Sequence, residues 1–189
     1  MRKLLPLVLV LFACNVFGES KEIAEIRKLA EAGDAAAQHN LGELFYDAKD
    51  FKESFKWFHK AAKLGHAKAQ HMLGLMYNHS IGVPFDVKEA AKWYRKAAEQ
   101  GHWEAQWYLG YAYHTGSGVP KDYVAAYAWY NLADYNGYTQ GAKARDILAK
   151  KMLSEQIAKA QELSKELLKK IEAKKALEEF RKSIKRTPR

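Results

Sequence analysis

The sequence predicts an all-α fold, a solenoid of stacked helical hairpins, and three observations lead there. The stretch "KAAKLGHAKAQHMLG" (60–74) returns as "KAAEQGHWEAQWYLG" (96–110), a shift of 36 residues that sets Gly65 over Gly101, Gln70 over Gln106 and Leu73-Gly74 over Leu109-Gly110. Working backwards, "LAEAGDAAAQHNLG" (29–42) matches at a spacing of 32, because "NHSIGVPFD" (78–86) and "HTGSGVPKD" (114–122) give way in the first copy to the shorter "YDAKD" (46–50). Within each copy the apolar residues recur at helical spacing, and no segment reads convincingly as a strand. A fixed period of this length marks a repeat array, since one hairpin cannot bury its apolar face alone.

The elements follow in chain order. "SKEIAEIRKLAEAG" (20–33) reads as a lone helix that caps the array. The first helix of each copy places Ala37, Leu41, Gly42 and Phe45, then Ala69, Leu73, Gly74 and Tyr77, then Ala105, Leu109, Gly110 and Tyr113 on one face. A helical glycine costs up to about 1 kcal/mol relative to Ala, so its recurrence predicts a neighbouring helix pressed against the backbone. The second helix repeats Ser54, Trp57, Phe58 and Ala61, then Ala90, Trp93, Tyr94 and Ala97, then Ala126, Trp129, Tyr130 and Ala133, rings alternating with small residues. Asp50, Asp86 and Asp122 are the expected N-caps, and Gly65, Gly101 and Gly137 the expected left-handed C-caps. "GVP" at 82–84 and 118–120 makes the turn within a hairpin. Two more helices are expected over 139–152 and 154 to about 182, the second capped by Ser154.

The N-terminal "MRKLLPLVLVLFACNVFGES" has a basic pair, an apolar run and small residues before Glu19, the pattern of a signal peptide cleaved after Gly18. The run is about half the roughly 20 apolar residues that span a bilayer. A lipoprotein signal ending at Cys14 is the alternative, to which Phe12 is a poor fit. Cys14 is the single cysteine, so a chain cleaved after Gly18 has neither disulfide nor thiolate chemistry. The expected segments are therefore 1–18, a signal peptide; 19–33, a capping helix; 34–66, 67–102 and 103–138, three repeats; 139–165, C-terminal capping helices; and 166–189, a basic helical tail. Charge is uneven along them. Residues 19–136 hold 14 Lys and Arg against 15 Asp and Glu, whereas 137–189 hold 15 against 7.

The combination of Ala and Leu-Gly in the first helix, a G-x-G-V turn, Asp, Ala, Trp-Tyr, Lys-Ala-Ala and Gly resembles the Sel-one-like repeat, a relative of the tetratricopeptide repeat. Residues 34–138 carry it in three copies, the first without the turn, and "GAKARDILAKKMLSEQIAKAQEL" (141–163) looks like the cap that follows many bacterial arrays of the family. The resemblance implies a right-handed α-solenoid with capping helices, working as an adaptor or scaffold for protein complexes, often in the bacterial envelope. Some cysteine-rich relatives are credited with penicillin binding or β-lactamase activity; those rest on a cysteine pair in each repeat, which this chain lacks.

Catalytic chemistry finds no motif. His66 and His102 occupy one repeat position and His39 and His71 another, His66 and His71 do not stack on one helical face, and no H-E-x-x-H or Cys/His spacing occurs. "GSG" (116–118) lacks both the strand and the Lys of a phosphate loop. Neither enzyme activity nor a metal or cofactor is expected. Positions that differ between copies are free to serve a surface, and on the first helices they are His39, Asn40, Glu43 and Tyr46; His71, Met72, Leu75 and Asn78; Trp107, Tyr108, Tyr111 and His114. The expected partner site is a concave, aromatic-lined groove around Leu75, Trp107, Tyr108, Tyr111 and His114, unless the last helices cover it. Tyr and Trp dominate binding hot spots. The tail keeps Leu167, Ile171, Leu177 and Phe180 as an imperfect apolar strip, and its Lys169, Lys170, Lys174, Lys175, Arg181 and Lys182 form a candidate basic surface for an acidic partner or an anionic envelope. Nucleic acid fits the charge but not an exported chain. The reading is thus a non-catalytic protein- or peptide-binding module, periplasmic or secreted; attachment to an anionic envelope surface and a cell-wall or β-lactam enzyme are the alternatives.

Overall fold

Most of the helices begin where a side chain accepts one of their free N–H groups. The computed structural model describes residues 20–186, in which nine helices and no strand occur. They are α1 (Lys21–Glu31), α2 (Ala35–Asp47), α3 (Phe51–Lys63), α4 (Ala67–His79), α5 (Val87–Ala98), α6 (Trp103–Thr115), α7 (Tyr123–Tyr135), α8 (Thr139–Ala149) and α9 (Ser154–Arg186). The expected signal segment and Cys14 lie outside the described residues. Asp50 and Asp122 cap α3 and α7 as expected, accepting from Glu53 N and Ala125 N at 3.1 and 3.0 Å. Gly65, Gly101 and Gly137 all take the left-handed conformation that ends the second helices.

The repeat also reuses a cap that sequence pattern alone did not announce. Asp34, His66 and His102 stand at one repeat position, and each accepts the N–H three residues on, from Ala37 at 2.7 Å, Ala69 at 3.3 Å and Ala105 at 3.4 Å. His66 can accept only when neutral. Burial, then His39 and Lys68, lower its pKa from 6.5 to about 4, against a smaller opposing pull from Asp34. The unfolded chain therefore takes up this proton first, and His66 contributes a stability that is full above pH 6.5 and lost as pH falls toward 4. His66→Asn keeps an acceptor at the cap but does not titrate. Its melting midpoint should fall less than that of the parent chain across this window; parallel curves would show that His66 is not the titrating group.

The fold comprises two compact units, divided between Asp86 and Val87. In the first, α1 covers one side of the α2–α3 hairpin, where Ala30, Ala37 and Leu41 are buried against Ile26, Leu44, Phe45 and Trp57. The glycine inside α2 is explained by Phe58 of α3: a Cβ on Gly42 would sit 2.7 Å from its ring. Ser54, where the other copies have Ala, donates to the Gly42 carbonyl at 2.9 Å in the same contact.

The second unit repeats that lock between α6 and α7, where a Cβ on Gly110 would sit 2.7 Å from the Tyr130 ring. Tyr130, fully buried, leads a core with Ala126, Tyr127, Leu148 and Ala160 that joins α7 to α8 and α9. Arg145 of α8 ties back to α7 through Asn131 Oδ1 at 2.8 Å and Asp134 Oδ2 at 2.9 Å. In both units a repeated glutamine staples one hairpin to the next: Gln38, Gln70 and Gln106 donate to the carbonyls of Ala30, Ala62 and Ala98 at 3.0, 3.0 and 3.2 Å. Those carbonyls end the preceding helix and also accept from the backbone N–H of Gly33, Gly65 and Gly101, at 3.1, 3.1 and 2.9 Å, so the glutamine amide is their second donor.

The last helix departs from expectation in two ways. It starts at Ser154 itself, so Ser154 is not the cap; Gln156 Oε1 instead accepts from Leu153 N at 2.9 Å. Nor do Leu167, Ile171, Leu177 and Phe180 form one strip. Ala160, Ser164 and Ile171 are buried along one side of α9, which packs on α7, whereas Leu177 and Phe180 are 48% and 62% exposed. At 100° per residue Ile171 and Phe180 point in opposite directions. Truncation after Lys175 should therefore leave the melting midpoint unchanged, while truncation after Lys165 removes Ile171 and lowers it by the equivalent of about 2–3 kcal/mol. Equal midpoints for the two truncations would mean that Ile171 contributes nothing.

Candidate functional site

The aromatic residues singled out in the third hairpin fall on α6, and the structure separates their roles. Tyr111 lies outermost, 48% exposed, stacked on Trp107 with ring centroids 5.7 Å apart and planes 15° apart. Trp107 is half-buried and packs against the core around Tyr130, so it is a floor beneath Tyr111 rather than a free surface ring. Its Nε1 is buried with no hydrogen-bond partner among the described residues. An orphaned donor costs stability, on the order of 1–3 kcal/mol. Tyr108 turns toward α5 and stacks on Tyr94 at 4.9 Å and 10°. Burial, then Tyr108, holds the Tyr94 phenol above its ordinary pKa; burial, then Tyr138 and Glu104, does the same for Tyr108, so both remain protonated at neutral pH.

His114 belongs to the wall. Its ring meets Tyr123 and Tyr130 edge-on at 5.6 and 6.3 Å, and its Nδ1 lies 3.4 Å from Tyr130 Oη. Burial, then Lys151 and Lys121, lowers its pKa, favouring the neutral ring. Leu75 is half-buried on α4.

Two further residues complete the face, and the sequence reading passed over both. Trp103, 37% exposed, packs on Tyr138 at 4.7 Å, and the Tyr138 ring meets the Trp107 ring edge-on at 6.1 Å. Tyr138 stands at the repeat position held by Asp34, His66 and His102, but it supplies no side-chain cap to α8. A signal was available for each: Trp103 replaces Ala35 and Ala67, and Tyr138 replaces a capping residue. Trp103, Trp107 and Tyr111 are thus successive turns of one helix, flanked by Tyr108 and Tyr138. The face offers π surfaces with phenol and indole donors, the chemistry of binding rather than of group transfer.

Of the basic set, Lys169, Lys170, Lys174, Lys175 and Arg181 are exposed on α9, while the side chain of Lys182 lies outside the described residues. Lys175 and Ile171 lie over Gly101, where an added Cβ would come within 2.6 Å of Lys175 Nζ.

These helices define an all-α protein built of repeated helical hairpins. The Sel1 repeat model matches residues 35–66, 67–102 and 103–137, and the chain belongs to the Sel1 repeat family. Repeats of this family are typically protein-interaction scaffolds and generally non-catalytic. Among solved structures, c5321, a protective antigen present in uropathogenic Escherichia coli strains and displaying an SLR fold, is 35% identical with a TM-score of 0.75 over 97% of this chain. The match covers 40% of that protein, so this chain spans well under half its length. A Sel1 repeat protein from Oxalobacter formigenes is 33% identical with a TM-score of 0.63 over 67% of this chain and 98% of its own. Cysteine rich protein B of Helicobacter pylori, at 21% identity and a TM-score of 0.52 over 66% of this chain and 97% of its own, shares the fold. No curated protein matches the sequence.

Proposed function

We propose that the chain is a non-catalytic interaction module of the bacterial envelope that binds a protein or peptide on the aromatic face of α6. One observation carries the reading. Trp103, Trp107 and Tyr111 stand where the second copy has Ala67, His71 and Leu75 and the first has Ala35, His39 and Glu43, so the hairpin does not require rings there. Exposing Trp103 and Tyr111 costs hydration that only a partner would recover, and aromatic residues of this kind anchor interfaces. Placement in the envelope rests on the signal-peptide pattern of residues 1–18; no helix among the described residues is long and apolar enough to cross a membrane. A second reading, attachment to an anionic envelope surface, is favoured by the exposed lysines of α9.

The test is a quantitative pull-down from envelope extract with the parent chain and a Trp103→Ala/Tyr111→Ala variant, followed by calorimetric titration of the captured protein. Both rings are exposed enough for the variant to keep its fold. A protein captured by the parent alone, with affinity at least tenfold weaker for the variant, about 1.4 kcal/mol, supports the reading. Recovery of the same proteins by both baits overturns it.

A further inference from the structure

The outward side of α9 changes character where the helix leaves its packing surface. Over the first turns it carries Glu155, Lys159, Glu162 and Glu166, with ion pairs from Lys159 to Glu155 at 2.7 Å and from Lys165 to Glu162 at 3.3 Å. Ile171 is the last buried residue among those described, and every residue whose side chain is described after it is exposed. From there the same outward side becomes Ala173, Ala176, Leu177, Phe180 and Ile184, with Leu177, Phe180 and Ile184 at 48%, 62% and 58% exposure. At 100° per residue these five fall within a band about 100° wide, opposite Ile171. Lys170, Lys174 and Arg181 line one border of that band, and residues 169–186 hold eight Lys and Arg against three Glu, a net charge of +5.

We propose that residues 173–186 form an interfacial anchor that lays Leu177, Phe180 and Ile184 into the surface of an anionic phospholipid bilayer. This rests on the anionic-surface reading above and deepens it by naming the lipid. The other border carries Ser183, Glu172 and Glu179, so the cations act from one side. An apolar stripe with a row of cations along its edge is a pattern that lies in a headgroup layer, where Lys and Arg meet the phosphates while the rings and branched chains enter the acyl boundary. The stripe is too narrow to hold a second copy firmly: three large side chains cover a few hundred Å², well below the roughly 1,200 Å² of a stable interface. Ile171 and Lys175 keep the root of the helix on the α5–α6 turn at Gly101, so the anchor is presented while the body remains folded.

Vesicle co-sedimentation of the chain from Ser20 onward, which contains every described helix, tests the proposal. The expected result is binding to phosphatidylcholine vesicles containing phosphatidylglycerol at least tenfold tighter than to pure phosphatidylcholine, weakening as salt rises. Phe180→Glu/Ile184→Glu should lose at least tenfold of that binding with an unchanged melting midpoint, and Lys170→Glu/Lys174→Glu/Arg181→Glu should lose the preference for phosphatidylglycerol. Equal binding to both vesicles, or none, overturns the anchor. Dextran sulfate separates the two readings. Capture of this soluble polyanion without vesicle binding overturns the lipid anchor and leaves the anionic-surface reading standing, whereas binding of neither overturns both. A concentration-dependent dimer that Phe180→Glu/Ile184→Glu abolishes assigns the stripe to a second copy and also overturns the proposal.

Discussion

Trp93→Ala should cost the fold about 3–5 kcal/mol, while Tyr111→Ala stays within about 0.5–1 kcal/mol of the parent chain in denaturant unfolding. The two rings stand one helix apart in the second unit but differ in what holds them. Trp93 is 8% exposed on α5, next in sequence to the 3%-exposed Tyr94 and one turn before the fully buried Ala97. Lys96 Nζ lies 4.0 Å from its ring centroid, adding a cation–π contact. Removing the indole of a buried residue leaves a void that the surroundings refill only in part. Tyr111 is half exposed and stacks only on its helical neighbour, so its loss leaves water where a ring stood. Trp107→Ala should fall between them, because it strips a packed floor and removes an orphaned indole donor together. Equal losses for Trp93→Ala and Tyr111→Ala would show that repeated and unrepeated aromatics do the same work, which would remove the argument for a binding face.

What could be read from the sequence and what could not divides along one physical line. The pairing of helical glycines with facing rings was legible because both partners repeat: Gly42 meets Phe58 and Gly110 meets Tyr130. The left-handed glycines and the Asp50 and Asp122 caps were legible because their chemistry is local, fixed within three residues. Contacts with a backbone atom farther along the chain were not. Gln106 was visible as a repeated residue, but nothing in a side-chain pattern says that its amide donates to the Ala98 carbonyl while accepting from Asn136 at 3.0 Å. The site was half legible for a related reason. Comparing the copies found Trp107 and Tyr111 but began at the second turn of the helix, and it missed Trp103 and its stacking partner Tyr138. On α9 the spacing of apolar residues was plain, yet only packing reveals that Ile171 and Phe180 serve opposite sides.

The "GVP" turn gives the sharpest case of such a backbone contact and the second large effect. Gly118 has φ +75°, and a Cβ on it would lie 2.0 Å from the Val87 carbonyl oxygen and 2.6 Å from the Val87 carbonyl carbon. The turn of one hairpin therefore rests on the first residue of the preceding second helix, and Gly82 repeats the contact on Phe51, at 2.5 Å from its carbonyl oxygen. Gly137 supplies the control, since its φ is +94° and nothing lies within 4 Å of its Cβ position. Gly137→Ala should cost only the left-handed strain, about 1–2 kcal/mol. Gly118→Ala carries the same strain and must also drive the turn away from α5 by more than an ångström, against backbone that cannot rotate aside. A total cost on the order of 3 kcal/mol or more is expected in denaturant unfolding. Matching costs for the two substitutions would mean that the turn moves freely and that its glycine serves only conformation. A larger cost at Gly118 makes the turn a spacer that sets how closely successive hairpins approach, and it explains why the glycine before Val-Pro is shared by the second and third copies, while the first, with no such turn, spans the same join in fewer residues.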